Sequence, residues 1–406
     1  MPKVLRLLNR FNLGGPTHNA AYLSKHMAPE FETLLVAGAK DDSEGSSEYI
    51  VRAMGLKPLL IPEMKRELNL FSDIQAYRRI KQLIREFKPD IVHTHAAKAG
   101  ALGRLAAREC GVPIIVHTFH GHVFHSYFSP LKSRLFIEIE RYLARLSSAI
   151  IVLSELQKHD ICSTFEICAS DKIAEIHVAI ELNKFQEDRA RRRAVFRSEY
   201  GLDEDEIAIG IIGRLVPVKN HALFLRAFKS ALCRTDKRLR AFIIGDGECR
   251  DDLTNLAAEL GIDFGDAGDD DRKAQLTFTS WIKDVSHVYA GLDIVALTSL
   301  NEGTPVSLIE AQAASLPIVT TRVGGVEDVV VQDETALLSE SGDADTFARN
   351  LVQLAEDTEL RRRLGRNGWD HVREKFSCER LVNNVTDLYR RLLSEATGNG
   401  AASRTP

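Results

Sequence analysis

The sequence predicts an α/β protein built from two doubly wound, Rossmann-like domains, each with a parallel sheet. Its 406 residues are enough for two domains of ordinary size. Short apolar runs alternate with amphipathic helical stretches from Val4 to Val178, and the alternation starts again at Ile207. Strands of this kind are buried on both faces, and their sheets bind ligands beyond the carboxyl ends of the strands.

The composition argues against several classes of protein. With 53 basic and 57 acidic residues the net charge is −4, which gives no electrostatic footprint for nucleic acid. The six cysteines are scattered and none forms a C-x-x-C pair, so we expect a reducing compartment without a disulfide framework or a zinc site. No signal peptide precedes Val4, and no apolar run approaches the roughly 18 residues of a membrane span. We therefore expect a cytoplasmic protein, with peripheral attachment to the inner face of the membrane left open.

The first half of the chain opens with a strand, a glycine turn and a helix. Val4–Leu8 is an apolar run typical of a buried strand, and Gly14-Gly15-Pro16 forms a turn before the helix Thr17–Met27. Glycine lets the backbone approach a phosphate closely, and a helix start favours negative charge. The pattern lacks the G-x-G-x-x-G spacing of a dinucleotide site. On its own, the glycine pair indicates only a tight turn.

Strand and helix patterns alternate through the rest of this half. The predicted elements are strands Thr33–Val36, Ile91–His93, Ile114–Thr118, Ala149–Leu153 and Ile173–Val178, with helices Ser72–Phe87 and Ala99–Cys110. His95 and Lys98 follow one of these strands and His120 follows another, so all three are candidates for ligand contact. Lys98 and Arg104 would suit a phosphate on a second substrate, although an exposed loop explains them equally well.

Residues 117–125 are rich in histidine and are followed by an aromatic stretch. No carboxylate or thiol lies at a ligand spacing from the histidines, so the sequence predicts no metal site there. The aromatic residues continue to Phe136, with Lys132 and Arg134 among them. A helix facing the core is the ordinary interpretation. The alternative is a surface that receives an apolar or lipid-linked molecule, with the basic residues near anionic head groups.

The second half begins after a basic run. Arg189–Arg193 is interpreted as a solvated linker helix. The apolar strand Ile207–Ile212 precedes Arg214 and Lys219, and two cations at the end of such a strand can neutralise a diphosphate. Gly245-Asp246-Gly247 lacks the third glycine of a nucleotide fingerprint, so we interpret it as a turn near the site.

Two further stretches of this half carry polar or aromatic residues. Phe264–Asp271 has polar flanks and no apolar strand before it, which predicts a solvated loop. Leu276–Phe278 is followed by Trp281 and Ile282, and Trp281 either stacks on a base or packs against the protein.

The stretch Asn301–Ala311 (NEGTPVSLIEA) carries the main functional signal. It follows the apolar strand Leu292–Leu297, and Thr304-Pro305 suit the start of a helix whose free amides and dipole attract an anion. Glu302 and Glu310 lie eight residues apart, so both carboxylates could border one site at different depths. Taken alone, this spacing is more typical of two solvated glutamates on an amphipathic helix than of a binding site.

These motifs together resemble the retaining family 4 glycosyltransferases, whose fold is GT-B, with two Rossmann-like domains facing across a cleft. The resemblance covers nearly the whole chain and departs from the family at the hinge, Val178–Phe185, and at Trp281. It implies that Arg214, Lys219 and Gly15 face the donor diphosphate and that His120 contacts the transferred sugar. It also implies that Glu302 binds the sugar, that Glu310 binds the ribose, and that residues near the helix start or the base complete the site: Gly303, Thr304, Pro305, Val306, Ser307, Trp281 and Ile282.

The function implied by this resemblance is metal-independent transfer of a sugar from a nucleoside diphosphate, with UDP favoured over GDP and no cofactor. The expected acceptor is a glycan or lipid-linked glycan in the synthesis of cell-surface polysaccharide. A GT-B epimerase or phosphorylase, or a non-catalytic nucleotide-sugar-binding protein, remains the alternative. The sequence gives no indication of the oligomeric state.

The expected domains are 1–182, joined by a helix at 378–393 that crosses back onto it, and 183–377, with a disordered tail at 394–406.

Overall fold

The computed structural model describes residues 1–11, 15–38, 48–65, 69–120, 130–268 and 273–402. The chain forms two compact units, unit 1 with Met1–Ile180 and Cys378–Pro406, and unit 2 with Glu181–Ser377. The division after Ile180 lies two residues before the boundary expected from the sequence.

Unit 1 contains a seven-stranded sheet in which every neighbouring pair of strands is parallel. Its strands are β1 (Lys3–Arg10), β2 (Glu32–Gly38), β3 (Leu59–Ile61), β4 (Ile91–His95), β5 (Ile114–Thr118), β6 (Ala149–Val152) and β7 (Ile173–Glu175). Their order is β3-β2-β1-β4-β5-β6-β7. Because the order reverses at β1 and β4, the carboxyl ends of these strands form a switch point, where open parallel sheets bind ligands.

In the described part of unit 1, six α-helices lie between successive strands. They are α1 (Gly15–His26), α2 (Glu48–Ala53), α3 (Leu70–Phe87), α4 (Ala97–Glu109), α5 (Pro130–Leu146) and α6 (Glu155–His159). Helix α3 begins two residues before the predicted Ser72 because the side chain of Asn69 accepts hydrogen bonds from the amides of Phe71 and Ser72.

Unit 2 contains a second parallel seven-stranded sheet. Its helices are α7 (Arg189–Glu199), α8 (His221–Leu232), α9 (Arg250–Glu259), α10 (Val285–Gly291), α11 (Val306–Ala313), α12 (Ala344–Glu356) and α13 (Thr358–Lys375). Its strands are β8 (Ile207–Ile212), β9 (Leu239–Ile244), β10 (Phe264–Asp266), β11 (Leu276–Phe278), β12 (Ile294–Leu297), β13 (Ile318–Arg322) and β14 (Ala336–Glu340). The order is β10-β11-β9-β8-β12-β13-β14, so the switch point of this sheet lies at β8 and β12.

Two interpretations from the sequence are wrong in unit 2. The basic helix α7 is not merely solvated, because Arg193 and Arg197 both pair with Asp293, at 2.7 and 3.2 Å. Asp293 also accepts a hydrogen bond from the amide of Ala208, so this carboxylate ties α7 to the first strand of the sheet. The stretch that starts at Phe264 is not wholly a loop, since its first three residues form the edge strand β10.

The last helix, α14 (Cys378–Ala402), packs in the core of unit 1 through Leu381, Val385 and Leu388. It continues past Leu393, into the stretch where the sequence predicts disorder. The hydroxyls of Ser394 and Thr397 donate to backbone carbonyls of the preceding turn, a contact that Ser and Thr make within helices. None of the described helices is both long and apolar enough to cross a membrane.

Polar side chains are buried in the middle of unit 1. Arg6 and His93 lie opposite each other on β1 and β4 and are fully buried. His93 lies 2.6 Å from the hydroxyl of Tyr389 on α14 and 2.7 Å from that of Thr118. His117 contacts Thr94 at 2.8 Å. Burial lowers the pKa of His93 and His117 well below the ordinary value, with the positive charges of Arg6 and Arg104 contributing to His93 and His117 respectively.

These buried imidazoles predict that unit 1 loses stability in mild acid. A histidine whose pKa is lowered in the folded state is neutral there, whereas the unfolded chain binds a proton near pH 6.5. The contribution of such a histidine to the free energy of unfolding is therefore fully present above pH 6.5. It decreases as the pH falls from 6.5 toward the pKa of the folded state. Each such histidine contributes a slope of about 1.4 kcal/mol per pH unit in that window.

Hydrogen exchange of the β4 and β5 amides at pH 7.5 and 5.5, corrected for intrinsic rates, measures this slope. His117→Asn, which keeps a polar atom near Thr94, should reduce the slope, and His159→Gln on the surface should leave it unchanged. Equal slopes in all three proteins would contradict the assignment.

Candidate active site

The strongest candidate residues of unit 2 lie at its switch point. Gly213, Arg214 and Lys219 follow β8, and the segment 299–305 follows the neighbouring strand β12. Parallel pairing of β8 with β12 places the two loops side by side at one edge of the sheet, and the amide of Leu300 donates to the carbonyl of Val218 at 2.8 Å. The structure therefore brings together two motifs that are more than 80 residues apart in sequence.

Lys219 and Glu302 form an ion pair at the centre of this edge. Lys219 Nζ lies 2.5 Å from Glu302 Oε1, and both side chains are largely withdrawn from solvent. The same carboxylate oxygen accepts a hydrogen bond from Ser299 Oγ at 2.6 Å. The sequence assigns the lysine to a phosphate and the glutamate to a sugar, but it does not predict that the two side chains bind each other.

Arg214 differs from Lys219 because its side chain is exposed and has no hydrogen bond or ion pair with the residues that the structure describes. The backbone beside it is fixed by the turn at 245–247. A Cβ on Gly245 would lie 1.9 Å from the carbonyl oxygen of Gly213, and one on Gly247 would lie 2.5 Å from that of Leu215. Both positions therefore require glycine, and the turn supports the loop that presents the guanidinium.

Helix α11 starts at Val306, one residue after Pro305. No side chain caps its first turn, so the amides of Val306 and Ser307 have no acceptor inside the helix and carry the positive end of its dipole. The loop before the helix packs closely against Gly325. A Cβ on Gly325 would lie 1.7 Å from the carbonyl oxygen of Gly303, so this position requires glycine. Thr304 is partly buried at this helix start, and Gly303 has open space beside it.

Glu310 lies in the second turn of α11 and is partly buried. Tyr289 Oη lies 3.1 Å from Glu310 Oε2 and 3.0 Å from the carbonyl oxygen of Ser307. Burial raises the pKa of Glu310, and the charge of Lys184 and the hydrogen bond from Tyr289 oppose that rise. Nothing in the sequence around Tyr289 indicates this contact, which depends on the packing of α10 against α11.

Trp281 and Ile282 follow strand β11. Trp281 is 56% exposed, and Ile282 is partly buried. The loop is attached to the supporting turn, since the amide of Gly245 donates to the carbonyl of Ser280 at 3.0 Å. The segment that carries Trp281 is therefore attached to the turn that supports the Arg214 loop, and the exposed indole does not pack in the core.

His120 and His95 form a pair in unit 1. His95 ends β4, His120 follows β5, and His95 Nδ1 lies 2.8 Å from His120 Nε2. Burial lowers the pKa of His120 to about 4, so its imidazole is neutral at pH 7. His95 is fully buried, and so it supports His120 from inside the sheet. Gly15 is the first residue of α1, while Gly121 lies outside the described residues.

The suggestion that Lys98 and Arg104 bind a phosphate is wrong for Arg104 and is not supported for Lys98. Arg104 is fully buried and pairs with Glu140 at 2.7 Å. Lys98 pairs with Asp73 at 2.5 Å and donates to the carbonyl of Lys65 at 2.8 Å. Both cations already have partners on other helices or loops, which the sequence around them does not reveal.

Helix α5, which contains the end of the aromatic stretch, has one face toward the core and one toward solvent. Phe136 and Ile137 pack against a core cluster that contains Phe119, which is the ordinary interpretation. Leu135, Ile139 and Tyr142 point outward and are 60%, 39% and 53% exposed. The part of the stretch within 121–129 lies outside the described residues. Across the described part of the chain, no three histidine, cysteine or acidic side chains are grouped so that they could hold a metal ion.

Two family models match the chain and together cover most of it. The model for glycosyl transferases group 1 matches residues 192–371, and the model for glycosyltransferase family 4 matches residues 13–184. The first match contains the site of unit 2, and the second contains Gly15, His95 and His120.

Individual relatives agree with these matches. The UDP-Gal:alpha-D-GlcNAc-diphosphoundecaprenol alpha-1,3-galactosyltransferase of Escherichia coli is 29% identical, over 82% of this chain and 84% of that protein. The capsular polysaccharide biosynthesis glycosyltransferase CapM of Staphylococcus aureus is 28% identical, over 82% of this chain and 85% of that protein. The crystal structure of Anabaena HepE in complex with UDP superimposes with a TM-score of 0.78 at 17% identity, covering 96% of this chain and all of that one. The chain therefore belongs to the family 4, group 1 glycosyltransferases, has their GT-B fold and is a glycosyltransferase.

Proposed function

We propose that this enzyme transfers a hexosyl group from a UDP-sugar to a lipid-linked glycan, with retention at the anomeric carbon, in the synthesis of a cell-surface polysaccharide. The observation that carries the proposal is the grouping of Lys219, Glu302 and the uncapped start of α11 at one switch point. Two relatives support the finer details. The E. coli enzyme is named for an undecaprenol-linked acceptor and an α-linked product, and HepE was crystallised with UDP.

The diphosphate leaves with negative charge, and the site offers positive groups to stabilise it. Arg214 is exposed and unpaired among the described residues, and the first amides of α11 are uncapped. Lys219 is the third positive group, and it must exchange Glu302 for a phosphate oxygen when the donor binds. Groups that are fixed before the charge develops stabilise the transition state most, because little reorganisation is needed. Gly15, at the first residue of α1, is the corresponding candidate in unit 1.

The two glutamates bind opposite ends of the donor in this proposal. Glu310, oriented by Tyr289, accepts hydrogen bonds from the ribose hydroxyls. Glu302 accepts from hydroxyls of the sugar once Lys219 has turned to the diphosphate. His120 is neutral, so it exchanges hydrogen bonds with the sugar and adds no charge. No carboxylate is assigned as a covalent nucleophile, and we expect front-side displacement. Trp281, exposed beside the site, is the candidate to stack on the base.

A transfer assay tests this function. UDP-hexoses, in preference to GDP-hexoses, should give an α-linked product on a polyprenyl diphosphate-linked N-acetylglucosamine, as shown by proton NMR. Lys219→Ala should reduce turnover about a hundredfold, because one donor to a developing oxyanion typically contributes about 3 kcal/mol. Lys237→Ala, an exposed lysine outside the site, serves as the control. An inverted product, or full turnover in well-folded Lys219→Ala, would contradict the proposal. Release of free sugar phosphate, or epimerisation without acceptor, would instead favour the phosphorylase or epimerase alternatives.

The exposed face of α5 is the proposed contact with the membrane that holds a lipid-linked acceptor. Leu135, Ile139 and Tyr142 are spaced by one helical turn and form an apolar stripe. Lys132, Arg134 and Arg145 on the same helix are exposed, and the acidic Glu138 is paired with Arg141. An apolar stripe flanked by basic residues suits the interface of a bilayer with anionic lipids.

Co-sedimentation with vesicles measures this contact. The protein should bind phosphatidylglycerol vesicles and bind phosphatidylcholine vesicles weakly, because the basic residues need anionic head groups. Leu135→Glu should weaken binding at least about tenfold, since it places a charge in the apolar stripe. Val195→Glu changes a comparably exposed apolar residue, at 51% against 60% for Leu135, on α7 of unit 2 and should have no effect. Equal losses in the two variants would contradict a role for α5.

A further inference from the structure

Two buried hydroxyl residues, Thr298 and Ser299, directly follow strand β12. Both are fully buried, and neither is among the residues assigned to the donor above. They lie at the carboxyl end of the strand, between its neighbours β8 and β13 in the sheet. Each hydroxyl contacts one of the two motifs that meet at the switch point.

Thr298 holds the turn that carries the lysine. Its hydroxyl lies 3.2 Å from the carbonyl oxygen of Lys219 and 3.0 Å from that of Asn220. Two residues further along the chain, the amide of Leu300 donates to the carbonyl of Val218. These contacts attach the backbone from 218 to 220 to the end of β12, so the position of Lys219 depends on a residue of another strand.

Ser299 holds the carboxylate. Its hydroxyl donates to Glu302 Oε1 at 2.6 Å, the oxygen that also contacts Lys219 Nζ. The backbone of Ser299 is itself fixed, because Thr321 Oγ1 on β13 donates to its carbonyl oxygen at 2.8 Å. A hydrogen bond to a charged acceptor is stronger than one between neutral groups, so Ser299 is a strong restraint on the carboxylate.

We propose that Ser299 and Thr298 are positioning residues for the exchange of partners at Lys219. When Lys219 leaves Glu302 for the donor diphosphate, Ser299 remains hydrogen-bonded to Glu302 and keeps the carboxylate directed at the sugar. Thr298 keeps the lysine-bearing turn in place during the same exchange. This inference rests on the proposed function. It adds that the two effects are separable, since one hydroxyl acts on turnover and the other on binding of the nucleotide.

The separation follows from the contacts. Without the Ser299 hydroxyl, the Glu302 carboxylate keeps only its contact with Lys219 among the described residues, and it is free to follow that cation or to turn away from the sugar. The diphosphate still meets Lys219, Arg214 and α11, so UDP binding should persist. Without the Thr298 hydroxyl, the turn at 218–220 loses a tie and the lysine is less well placed for the diphosphate.

The test uses UDP and three donors, UDP-glucose, UDP-galactose and UDP-N-acetylglucosamine, with release of UDP as the measure of turnover. Ser299→Ala should lower kcat about tenfold and change the Kd for UDP by less than about twofold, because one hydrogen bond to a charged group is lost. Thr298→Val should weaken UDP binding about fivefold. Ser299→Cys fills the same space with a weak donor and should behave like Ser299→Ala.

Thr335→Val is the matched control, because it removes a buried hydroxyl of unit 2 that bonds to the backbone of Val331 and contacts neither Ser299, Glu302 nor Lys219 among the described residues. It should keep both kcat and UDP affinity. A double-mutant cycle separates positioning from general destabilisation. If Ser299 acts through the carboxylate, Ser299→Ala adds nothing to the loss already caused by Glu302→Gln.

Full kcat in Ser299→Ala and Ser299→Cys, losses that add to those of Glu302→Gln, or equal losses in Thr335→Val would overturn the inference while leaving the proposed function intact. A wild-type protein that releases UDP from none of the three donors would overturn the proposed function, and the inference with it.

Discussion

The ion pair between Lys219 and Glu302 joins the ends of two adjacent parallel strands. Parallel strands place their carboxyl ends at one edge, and the reversal of strand order at β8 and β12 opens space there for a ligand. The pair keeps a cation and an anion in register at this edge while no donor is present. It also means that the cation is not free, so binding of a diphosphate is an exchange of partners and not a simple addition.

Several features serve to hold this edge in shape. Glycines at 245, 247 and 325 are required because backbone carbonyls occupy the space of a side chain. Buried hydroxyls from Thr298, Ser299 and Thr321 bind the loops to the strands. In unit 1 the support for His120 is different. Its ring stacks on that of His95, which stacks on that of His93, and burial keeps His95 neutral. In both units the polar groups lie in buried strands or in segments that follow them, which suits chemistry that depends on preorganised donors.

The strands and the motifs could be predicted because they depend on local signals. The apolar runs Ile114–Thr118 and Ile207–Ile212 predict β5 and β8 with their observed bounds, and the sequence indicates candidate site residues after both strands. The pairing of side chains could not be predicted in this way. Arg104 looked available, yet it is neutralised by Glu140 on another helix, and Tyr289 reaches Glu310 only through the packing of α10 on α11. Such contacts depend on distances between elements that are far apart in sequence, and the hydrophobic periodicity of a single helix or strand gives no information about those distances.

A crystal structure of the protein with UDP bound tests the exchange at Lys219 most directly. We expect Lys219 Nζ to have left Glu302 for a phosphate oxygen at about 2.8 Å, with Ser299 still bound to the carboxylate and the ribose hydroxyls at Glu310. A diphosphate bound elsewhere, with the pair between Lys219 and Glu302 intact, would contradict this mechanism.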